Sequence, residues 1–381
     1  MEYSNEVLKI VEGALKSDKA KVISYTKLLV DKLKQNNEER LANSFVKIVN
    51  NNLSSMAQHS INDIVKVPLD QESRLPMADI ALPEQISDAR IVLNKSAKEQ
   101  VDKFLEYYKN TNKLTNAGLK VPNTILLYGP PGCGKSKLAN FICTQTKLPL
   151  VTARIDGLVS SFLGSTAKNI RSIFEYAQTV PCILFLDEFD AIAKVRDDNN
   201  ELGELKRVVN SLLQNIDNLQ NGSIIVAATN HDQLLDPAVW RRFGFRILIE
   251  KPDYESRKQL INCFLNENPF SEKDISLLAT AFENLTGAEI EEICNKALID
   301  SLISDTVISR NVIFDNLFEF KKILDNGVEK MTEREENKIK AHFLRSIDSK
   351  VFSYGAIADI LGVSKSHVSD LLGLKEELNN G

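Results

Sequence analysis

The feature that most constrains the fold is a glycine-rich loop at residues 129–136, which lies between two apolar runs. The loop reads Gly-Pro-Pro-Gly-Cys-Gly-Lys-Ser, residues 124–128 before it are Thr-Ile-Leu-Leu-Tyr, and residues 137–142 after it are Lys-Leu-Ala-Asn-Phe-Ile. The first run predicts a buried strand and the second predicts a helix. Glycines let successive backbone N–H groups point into one concavity at the helix N-terminus, where phosphate charge is stabilised. The sequence therefore predicts a phosphate-binding loop in an α/β domain.

A second apolar run ends in two acidic residues. Residues 183–186 are Ile-Leu-Phe-Leu, and Asp187 and Glu188 follow them. Lys135 of the loop is expected to contact the β- and γ-phosphates, while Ser136 and Asp187 hold Mg²⁺, which keeps much of its hydration shell. Glu188 is then the candidate that polarises the attacking water. The pair of motifs predicts nucleoside triphosphate hydrolysis; the alternative is a chance glycine-rich turn beside a chance acidic strand end.

A third apolar run and a pair of arginines add to this pattern. Residues 224–229 are Ile-Ile-Val-Ala-Ala-Thr, a predicted strand, and Asn230 follows with an amide that can position water beside the γ-phosphate. Arg241 and Arg242 lie too far along the chain to reach their own nucleotide easily, so we expect them to enter the site of a neighbouring copy. The alternative is that both arginines only pair with surface carboxylates.

From about residue 75 to residue 300 these motifs, in this order, resemble the AAA ATPase family. Residues 129–136 resemble its Walker A motif and residues 183–188 its Walker B motif. The resemblance implies a P-loop α/β module with a parallel five-stranded sheet and a helical lid, ATP and Mg²⁺ as ligands, and a homo-oligomeric ring, with a hexamer expected. A departure is Gly244-Phe245, where many relatives carry an acidic residue; which arginine reaches the γ-phosphate is therefore open.

The resemblance also assigns the site residues. Residues 286–290, Thr-Gly-Ala-Glu-Ile, resemble the lid helix that contacts adenine, with Gly-Ala in place of a sensor 2 arginine. The residues assigned to the nucleotide are Gly129, Pro130, Pro131, Gly132, Cys133, Gly134, Lys135, Ser136, Leu138, Asp187, Gly287 and Ala288. The catalytic assignments are Glu188, Asn230 as sensor 1, and Arg241 and Arg242 as arginine fingers. Cys133 is either a small permitted residue or a thiol whose pKa is lowered by the helix N-terminus.

A short aromatic segment suggests what hydrolysis drives. Phe162, Leu163 and Gly164 resemble the channel loop with which related rings grip an extended polypeptide, where an aromatic gives a large contact and glycine lets the loop move. This implies a protein substrate or adaptor as partner. Phe162 is alternatively a core residue, and residues 191–201 are either a second channel loop or a solvated connection.

Helical segments flank the ATPase region. Apolar residues recur at helical intervals over residues 21–33 and 39–49, which predicts a small helical N-terminal domain. Prolines interrupt the stretch from residue 59 to residue 83, as expected of a linker. The predicted divisions are a helical domain and linker at 1–74, the large ATPase domain at 75–251, the lid at 252–328 and a C-terminal domain at 329–381.

The C-terminal region has the spacing of a helix-turn-helix. Ala358, Gly362 and Val368 stand where that motif needs a small crossing residue, a turn glycine and a buried branched residue. The residues expected on the exposed second helix are Lys365, Ser366, His367 and Ser369. DNA contact through this helix and docking of a protein stay open, because Asp370 and the glutamates at 376–377 make the surface less basic than most DNA readers.

Composition limits the remaining partners. The net charge of −5 argues against wholesale polyanion binding, and scattered cysteines suit a reducing compartment. With no apolar run long enough to span a bilayer, we expect a cytoplasmic protein without a membrane partner. The module order is similar to that of bacterial AAA proteins that act with a subtilisin-like protease in phage defence, which implies a separate protease. The favoured hypothesis is ATP-driven remodelling of a protein; the rival is an ATP-regulated DNA-associated protein.

Overall fold

The structure is a computed structural model that describes residues 67–70, 74, 76–86, 90–154, 163–193, 202–219, 222–265, 270–324 and 332–373, together with single residues nearer the N-terminus. Side chains are described for these residues except at 163–165, 202–207 and 322–324. The chain divides into two compact units, Met1–Pro68 and Leu69–Gly381.

In the first unit the described residues follow a helical pattern. Thr26, Leu29, Val30 and Leu33 are helical and buried, while Lys32 is helical and exposed. The buried residues are spaced three and four apart, so they lie on one face of a helix. This agrees with the helix predicted over residues 21–33; most of the segment 39–49 lies outside the described residues.

The second unit is built on a mixed sheet of six strands in the order β1-β3-β4-β5-β2-β6. The strands are β1 Ala78–Ala81, β2 Thr124–Tyr128, β3 Leu150–Ala153, β4 Ile183–Leu186, β5 Ile224–Thr229 and β6 Phe245–Leu248. All neighbours from β3 to β6 pair in parallel, as the AAA resemblance implies, and β1 adds an antiparallel edge strand next to β3. Strands β2, β4 and β5 lie inside the sheet, so their carboxyl ends meet at the same edge.

Strand β1 was not expected from the sequence. It lies within the stretch from residue 59 to residue 83 that the prolines marked as a linker. Ala-Asp-Ile-Ala is too short to show an alternating pattern, and Pro76 and Pro83 flank it. An antiparallel edge strand tolerates such neighbours because only one of its edges carries ladder hydrogen bonds. The linker prediction is therefore wrong over these four residues.

Helices pack against the sheet between its strands. They are α1 Lys95–Lys109, α2 Thr111–Asn116, α3 Lys135–Thr146, α4 Leu163–Thr179, α5 Asp190–Ala193, α6 Leu202–Asn218 and α7 Pro237–Trp240. One core packs α1 and α3 against the sheet, with Phe104 edge-on to Phe245 at 5.4 Å between ring centroids. Because α3 follows β2 after a tight loop, its N-terminus lies at the edge where the parallel strands end.

The lid follows β6 as a set of helices. These are α8 Tyr254–Phe264, α9 Glu272–Ala281, α10 Gly287–Ile303 and α11 Arg310–Leu324. The side chain of Thr286 accepts a hydrogen bond from the backbone N–H of Glu289, and the Glu289 carboxylate accepts one from the N–H of Thr286. This capping box fixes the start of α10, the helix that faces the phosphate loop.

The C-terminal helices share the core of the lid. They are α12 Glu333–Ile347, α13 Tyr354–Leu361 and α14 Lys365–Leu371. Phe314 and Leu317 of α11 belong to one continuous cluster with Leu344 of α12, Ile357 of α13 and Val368 of α14. The division predicted after residue 328 therefore falls inside a single hydrophobic core, and the two parts pack as one body.

The α13–α14 pair has the features expected at three positions. Ala358 and Val368 are buried, and Gly362 ends α13 in the left-handed region with φ of 68°. Lys365 and Ser366 at the start of α14 are exposed, as is Asp370 near its end. Its role as a helix-turn-helix reader stays a prediction.

Candidate active site

The phosphate loop is held in shape by its own lysine. The Nζ of Lys135, which is 7% exposed, donates hydrogen bonds to the carbonyl oxygens of Gly129 and Pro130, each at 2.8 Å. Glycine is required at Gly129, where φ is 136° and a Cβ would lie 2.2 Å from the carbonyl oxygen of Ile249. The loop backbone thus folds around the Lys135 ammonium at the N-terminus of α3, which is the geometry that binds a polyphosphate.

Burial shifts the pKa values of two loop residues, Lys135 and Cys133. It lowers the pKa of the Lys135 ammonium, while Cys133, Asp187 and Asp190 act in the opposite direction. Burial also raises the pKa of the Cys133 thiol, which outweighs the opposing effect of Lys135 and Lys251. Of the two interpretations of Cys133, the structure therefore favours a small permitted residue over a reactive thiolate.

The residues predicted to hold Mg²⁺ meet beside the loop. The Oγ of Ser136 donates to the Oδ2 of Asp187 at 3.0 Å, and Asp187 lies directly after β4. Mg²⁺ in nucleotide sites takes one or two protein oxygens and completes its octahedron with water and phosphate. A hydroxyl and a carboxylate at this distance fit that requirement, so Ser136 and Asp187 would hold the ion that the AAA resemblance implies.

Glu188 is positioned by a strained backbone. Its φ of 46° lies in the left-handed region, and its N–H donates to the Oδ1 of Asp187 at 2.9 Å. The next residue, Phe189, is fully buried edge-on to Phe243, and its N–H donates to the carbonyl of Ala228 at 2.8 Å. Such strain persists where neighbours over-determine the conformation, and it concentrates at functional sites. Glu188 is among the residues that line the cavity.

Asn230 carries a buried amide oxygen without a partner in the part of the chain that the structure describes. The residues beside it are well satisfied: Thr229 Oγ donates to Asp190 Oδ1 at 2.6 Å and accepts from the N–H of His231 at 2.9 Å. An unpaired buried oxygen is costly, and in a native site it calls for a functional explanation. Asn230 also lines the cavity, where its amide can face a water molecule.

These residues share one cavity of about 390 Å³ between the phosphate loop and the lid. The predicted site residues that line it are Pro131, Gly132, Cys133, Gly134, Lys135, Ser136, Asp187, Glu188, Asn230, Gly287 and Ala288. Gly129 and Pro130, the first two residues of the loop, do not line this cavity. Their carbonyl oxygens accept the hydrogen bonds of Lys135. Leu138 is fully buried in the core and does not line the cavity, and its assignment to the nucleotide stays a prediction.

The cavity has an apolar part that sequence motifs did not reveal. Ile91 and Leu93 before α1 and Leu260 and Phe264 on α8 line it together with Ala288. Apolar side chains beside a phosphate loop suit a nucleotide base. The only available signal was the apolar run at residues 91–93, which by itself is compatible with many structures.

The lid contacts the phosphate loop directly. The N–H of Ala288 donates to the carbonyl of Gly132 at 3.0 Å, and a Cβ on Gly132 would lie 2.9 Å from the Oγ of Thr286. Lys137 of α3 and Glu291 of α10 also meet, with 2.6 Å between Nζ and Oε2. The position of the lid therefore depends on the conformation of the loop.

The two arginines lie away from the cavity and differ in their contacts. Arg242 donates from Nη1 to the carbonyl of Ala238 at 3.0 Å and pairs through Nε with Asp217 at 3.4 Å. Arg241 is exposed, and its guanidinium makes no hydrogen bond or ion pair to any residue the structure describes. At Gly244, which follows soon after the arginines, a Cβ would lie 2.4 Å from the Cβ of Pro122, so a larger residue would require a shift.

The channel-loop predictions are only partly within the described structure. Phe162 lies outside the described residues, as do residues 194–201 of the second predicted channel loop. Leu163 and Gly164 form the first turn of α4, and their side chains are not described.

No helix in the described part of the chain has both the length and the apolar content needed to cross a bilayer.

Comparison with known proteins gives matches in this region. Residues 125–251 match the model of the ATPase family associated with various cellular activities, AAA. The uncharacterized AAA family ATPase y4kL of Sinorhizobium fredii is 40% identical over 208 residues, which are 55% of this chain and 63% of that protein. The ATP-dependent zinc metalloprotease FtsH of Thermus thermophilus is 35% identical over 213 residues, 54% of this chain and 34% of that protein. FtsH of Aquifex aeolicus is 30% identical over 290 residues, 73% of this chain and 44% of that protein. The chain thus spans less than two thirds of the length of each.

Proposed function

This chain carries an ATPase domain of the AAA family, and from that premise we propose that it hydrolyses ATP to remodel protein substrates as a ring of identical subunits. One observation supports the proposed ATP hydrolysis: the Ser136–Asp187 pair, Glu188, Asn230 and Lys135 line the same cavity. The amide oxygen of Asn230 has no hydrogen-bond partner among the described residues. That cavity is large enough for a nucleotide and has both a polar and an apolar side.

Each residue has a distinct role in this proposal. The backbone N–H groups of residues 132–136 and the ammonium of Lys135 bind the phosphates, and Ser136 and Asp187 hold Mg²⁺, which neutralises charge on the β- and γ-phosphates when bound. The Asn230 amide oxygen accepts a hydrogen bond from the attacking water and orients it. The Glu188 carboxylate accepts a proton from the same water. Helix α10 and the apolar residues of the cavity position the adenine base of the nucleotide.

The ring follows from the arginines. Arg90, which precedes α1, is the one arginine among the described residues that line the cavity, and neither Arg241 nor Arg242 lines it. Charge that develops on the γ-phosphate in the transition state is commonly stabilised by an arginine from a neighbouring chain. The guanidinium of Arg241 is exposed and has no hydrogen bond or ion pair to the described residues, so Arg241 is the better candidate to supply that charge to the next subunit.

The proposed substrate is a polypeptide drawn against Phe162. Relatives named ATP-dependent zinc metalloproteases support a protein substrate, since they match more than half of this chain. The sequence lacks the metal-binding pattern His-Glu-x-x-His, so proteolysis would require a separate protease chain. A hexamer is the assembly expected for such a ring.

A second candidate function is regulation of DNA binding by ATP. The exposed Lys365 and Ser366 at the start of α14 favour it, because these residue types contact phosphates. The described residues of the C-terminal helices weigh against it: they carry as many Asp and Glu as Lys and Arg, so they lack the basic surface of most DNA readers.

The experiment that tests the proposal uses Glu188→Gln. We expect this variant to lose about 10²- to 10⁴-fold in ATP hydrolysis while it still binds ATP, because only proton transfer is removed. Glu175→Gln is the matched control, since Glu175 pairs with Arg171 on the exposed face of α4 and should leave hydrolysis unchanged. Unchanged hydrolysis in Glu188→Gln would refute the proposed role of Glu188.

The same variant distinguishes the two functions. With hydrolysis blocked, a protein remodeller should retain its bound client, so affinity purification in the presence of ATP should recover polypeptides. Recovery of duplex DNA in their place would favour the DNA-associated function and contradict remodelling.

A further inference from the structure

Lys137 connects three elements around the nucleotide cavity. It follows Ser136 on α3, and its Nζ lies 2.6 Å from Oε2 of Glu291 on α10. The same ammonium lies 5.5 Å from the ring centroid of Phe264 on α8. All three side chains line the cavity. One residue of the phosphate-loop helix thus holds two helices of the lid.

The contact differs from the other links between lid and large domain. Ala288 donates from its backbone to Gly132, and the Nζ of Lys251 donates to the carbonyl of Asn284 at 2.7 Å, so both links use lid backbone. Lys137 and Glu291 instead meet through side chains that are 154 residues apart. An ion pair between two side chains can break through rotamer changes alone, without a change in the backbone of either helix.

The ion pair is too exposed to add much to folding. The side chains of Lys137 and Glu291 are 52% and 35% exposed, and pairs of this kind contribute little to stability. Because the pair joins α3 to lid helix α10, its small energy affects the opening of the lid more than folding. A lid that must open to release nucleotide has to break the Lys137–Glu291 pair and lift Phe264 from the ammonium.

We infer that Lys137, Glu291 and Phe264 form a latch that holds the lid closed over bound nucleotide and sets the rate of nucleotide release. Lys137 is a positioning residue in this role, because it acts through the lid. The inference rests on the proposed ATPase function, and it adds a determinant of nucleotide residence time that the phosphate-loop motif does not contain.

The test is the release of fluorescent N-methylanthraniloyl-ADP from the full-length protein, chased with unlabelled ATP. We expect Glu291→Gln to accelerate release by about fivefold, the change that an ion pair of this exposure corresponds to. Lys137→Met, which also removes the contact with Phe264, should accelerate release at least as much, and the double variant should be no faster than Lys137→Met. The matched control is Glu319→Gln, which breaks the 2.7 Å ion pair of Lys296 and Glu319 within the lid and should leave release unchanged.

The outcomes separate the latch from the proposed function. If wild-type protein does not bind the fluorescent nucleotide, the nucleotide site itself is refuted and the latch with it. If wild-type binds and Glu291→Gln releases at the wild-type rate, the latch is refuted while the ATPase proposal stands. Acceleration in Lys137→Met alone would show that Lys137 contacts the nucleotide directly, and this too overturns the latch. Equal acceleration in Glu319→Gln would assign the effect to general lid instability and contradict the inference.

Discussion

The ring of Phe352, between α12 and α13, packs edge to face against the ring of Phe314 on lid helix α11, with 6.4 Å between the centroids. Both side chains are fully buried. On the same helix, Arg310 pairs with Asp274 of α9 at 2.8 Å and with Asp359 of α13. The C-terminal helices are therefore built into the lid, and a lid that moves with nucleotide state carries α14 with it.

This shared core makes Phe352 essential to the stability of the lid. Phe352→Ala should lower the free energy of unfolding by about 3–5 kcal/mol, because it opens a cavity where both parts pack. Val351→Ala is the control: Val351 is 39% exposed, and its truncation should change stability by no more than about 0.5 kcal/mol. The measurement is denaturant unfolding followed by near-UV circular dichroism. A separate transition for the C-terminal helices that leaves lid unfolding unchanged would contradict the single core.

The Asp274–Arg310 pair predicts how lid stability depends on pH. Burial raises the pKa of the Asp274 carboxyl, but hydrogen bonds from Ser271 and Arg310 and the charge of Arg310 outweigh it, so the pKa lies below its ordinary value. A depressed pKa in the folded state means that the carboxylate stabilises the fold above the unfolded pKa. This contribution disappears as pH falls through the folded pKa, below about pH 4.

Asp274→Asn tests this dependence. We expect the variant to melt at a lower temperature than wild-type at pH 7, and the difference between their melting temperatures to shrink as pH falls below about 4. Thermal unfolding across this range is the measurement. Melting curves that stay the same distance apart at every pH would show that the Asp274 carboxylate makes no charge-dependent contribution.

The contacts of the two arginines predict different phenotypes. Arg241→Ala should reduce hydrolysis by about 10³-fold or more while leaving nucleotide binding and folding intact, because its guanidinium contacts no described residue of its own chain. Arg242→Ala should lower thermal stability, since it removes contacts to Asp217 and Ala238.

Mixing experiments show whether the Arg241 guanidinium acts across subunits. Arg241→Ala subunits added to wild-type should reduce the ATPase rate by more than their fraction. A decrease that is strictly proportional to the added fraction would exclude a shared site.

Asn230 offers a test that separates catalysis from stability. Its buried Oδ1 has no partner among the described residues, so Asn230→Ala removes no hydrogen bond made by that oxygen. We expect hydrolysis to fall by about 10²-fold or more, while the free energy of unfolding stays the same or rises. Steady-state hydrolysis and urea unfolding are the measurements. A clear loss of stability together with normal hydrolysis would make Asn230 a structural residue.

The sequence predicted the elements that carry local signals. The strand at residues 124–128 was expected with the bounds that the structure gives it, because its apolar run stands directly before the glycine-rich loop. The loop at residues 129–136 was expected because the spacing of its glycines and lysine between a strand and a helix is typical of a phosphate-binding loop. Strand β1 was missed because four residues between prolines show no periodicity.

The sequence did not predict contacts between residues that are far apart along the chain. Nothing near Lys137 in the sequence indicates Glu291, and Phe314 and Phe352 lie in segments that helical periodicity assigns to separate domains. The motif also does not indicate which side chains of α3 line the cavity and which pack in the core, where Leu138 lies. The difference between Arg241 and Arg242 likewise depends on Asp217, which only the fold brings near.

The central claim is that each catalytic site is completed by a second copy of the chain, and the specific ATPase rate as a function of protein concentration tests it most directly. At saturating ATP, the rate per subunit should be constant at high concentration and fall toward zero once dilution separates the subunits, because the arginine supplied by the neighbour is then lost. A rate per subunit that stays constant down to concentrations at which sedimentation shows only monomers would contradict the claim.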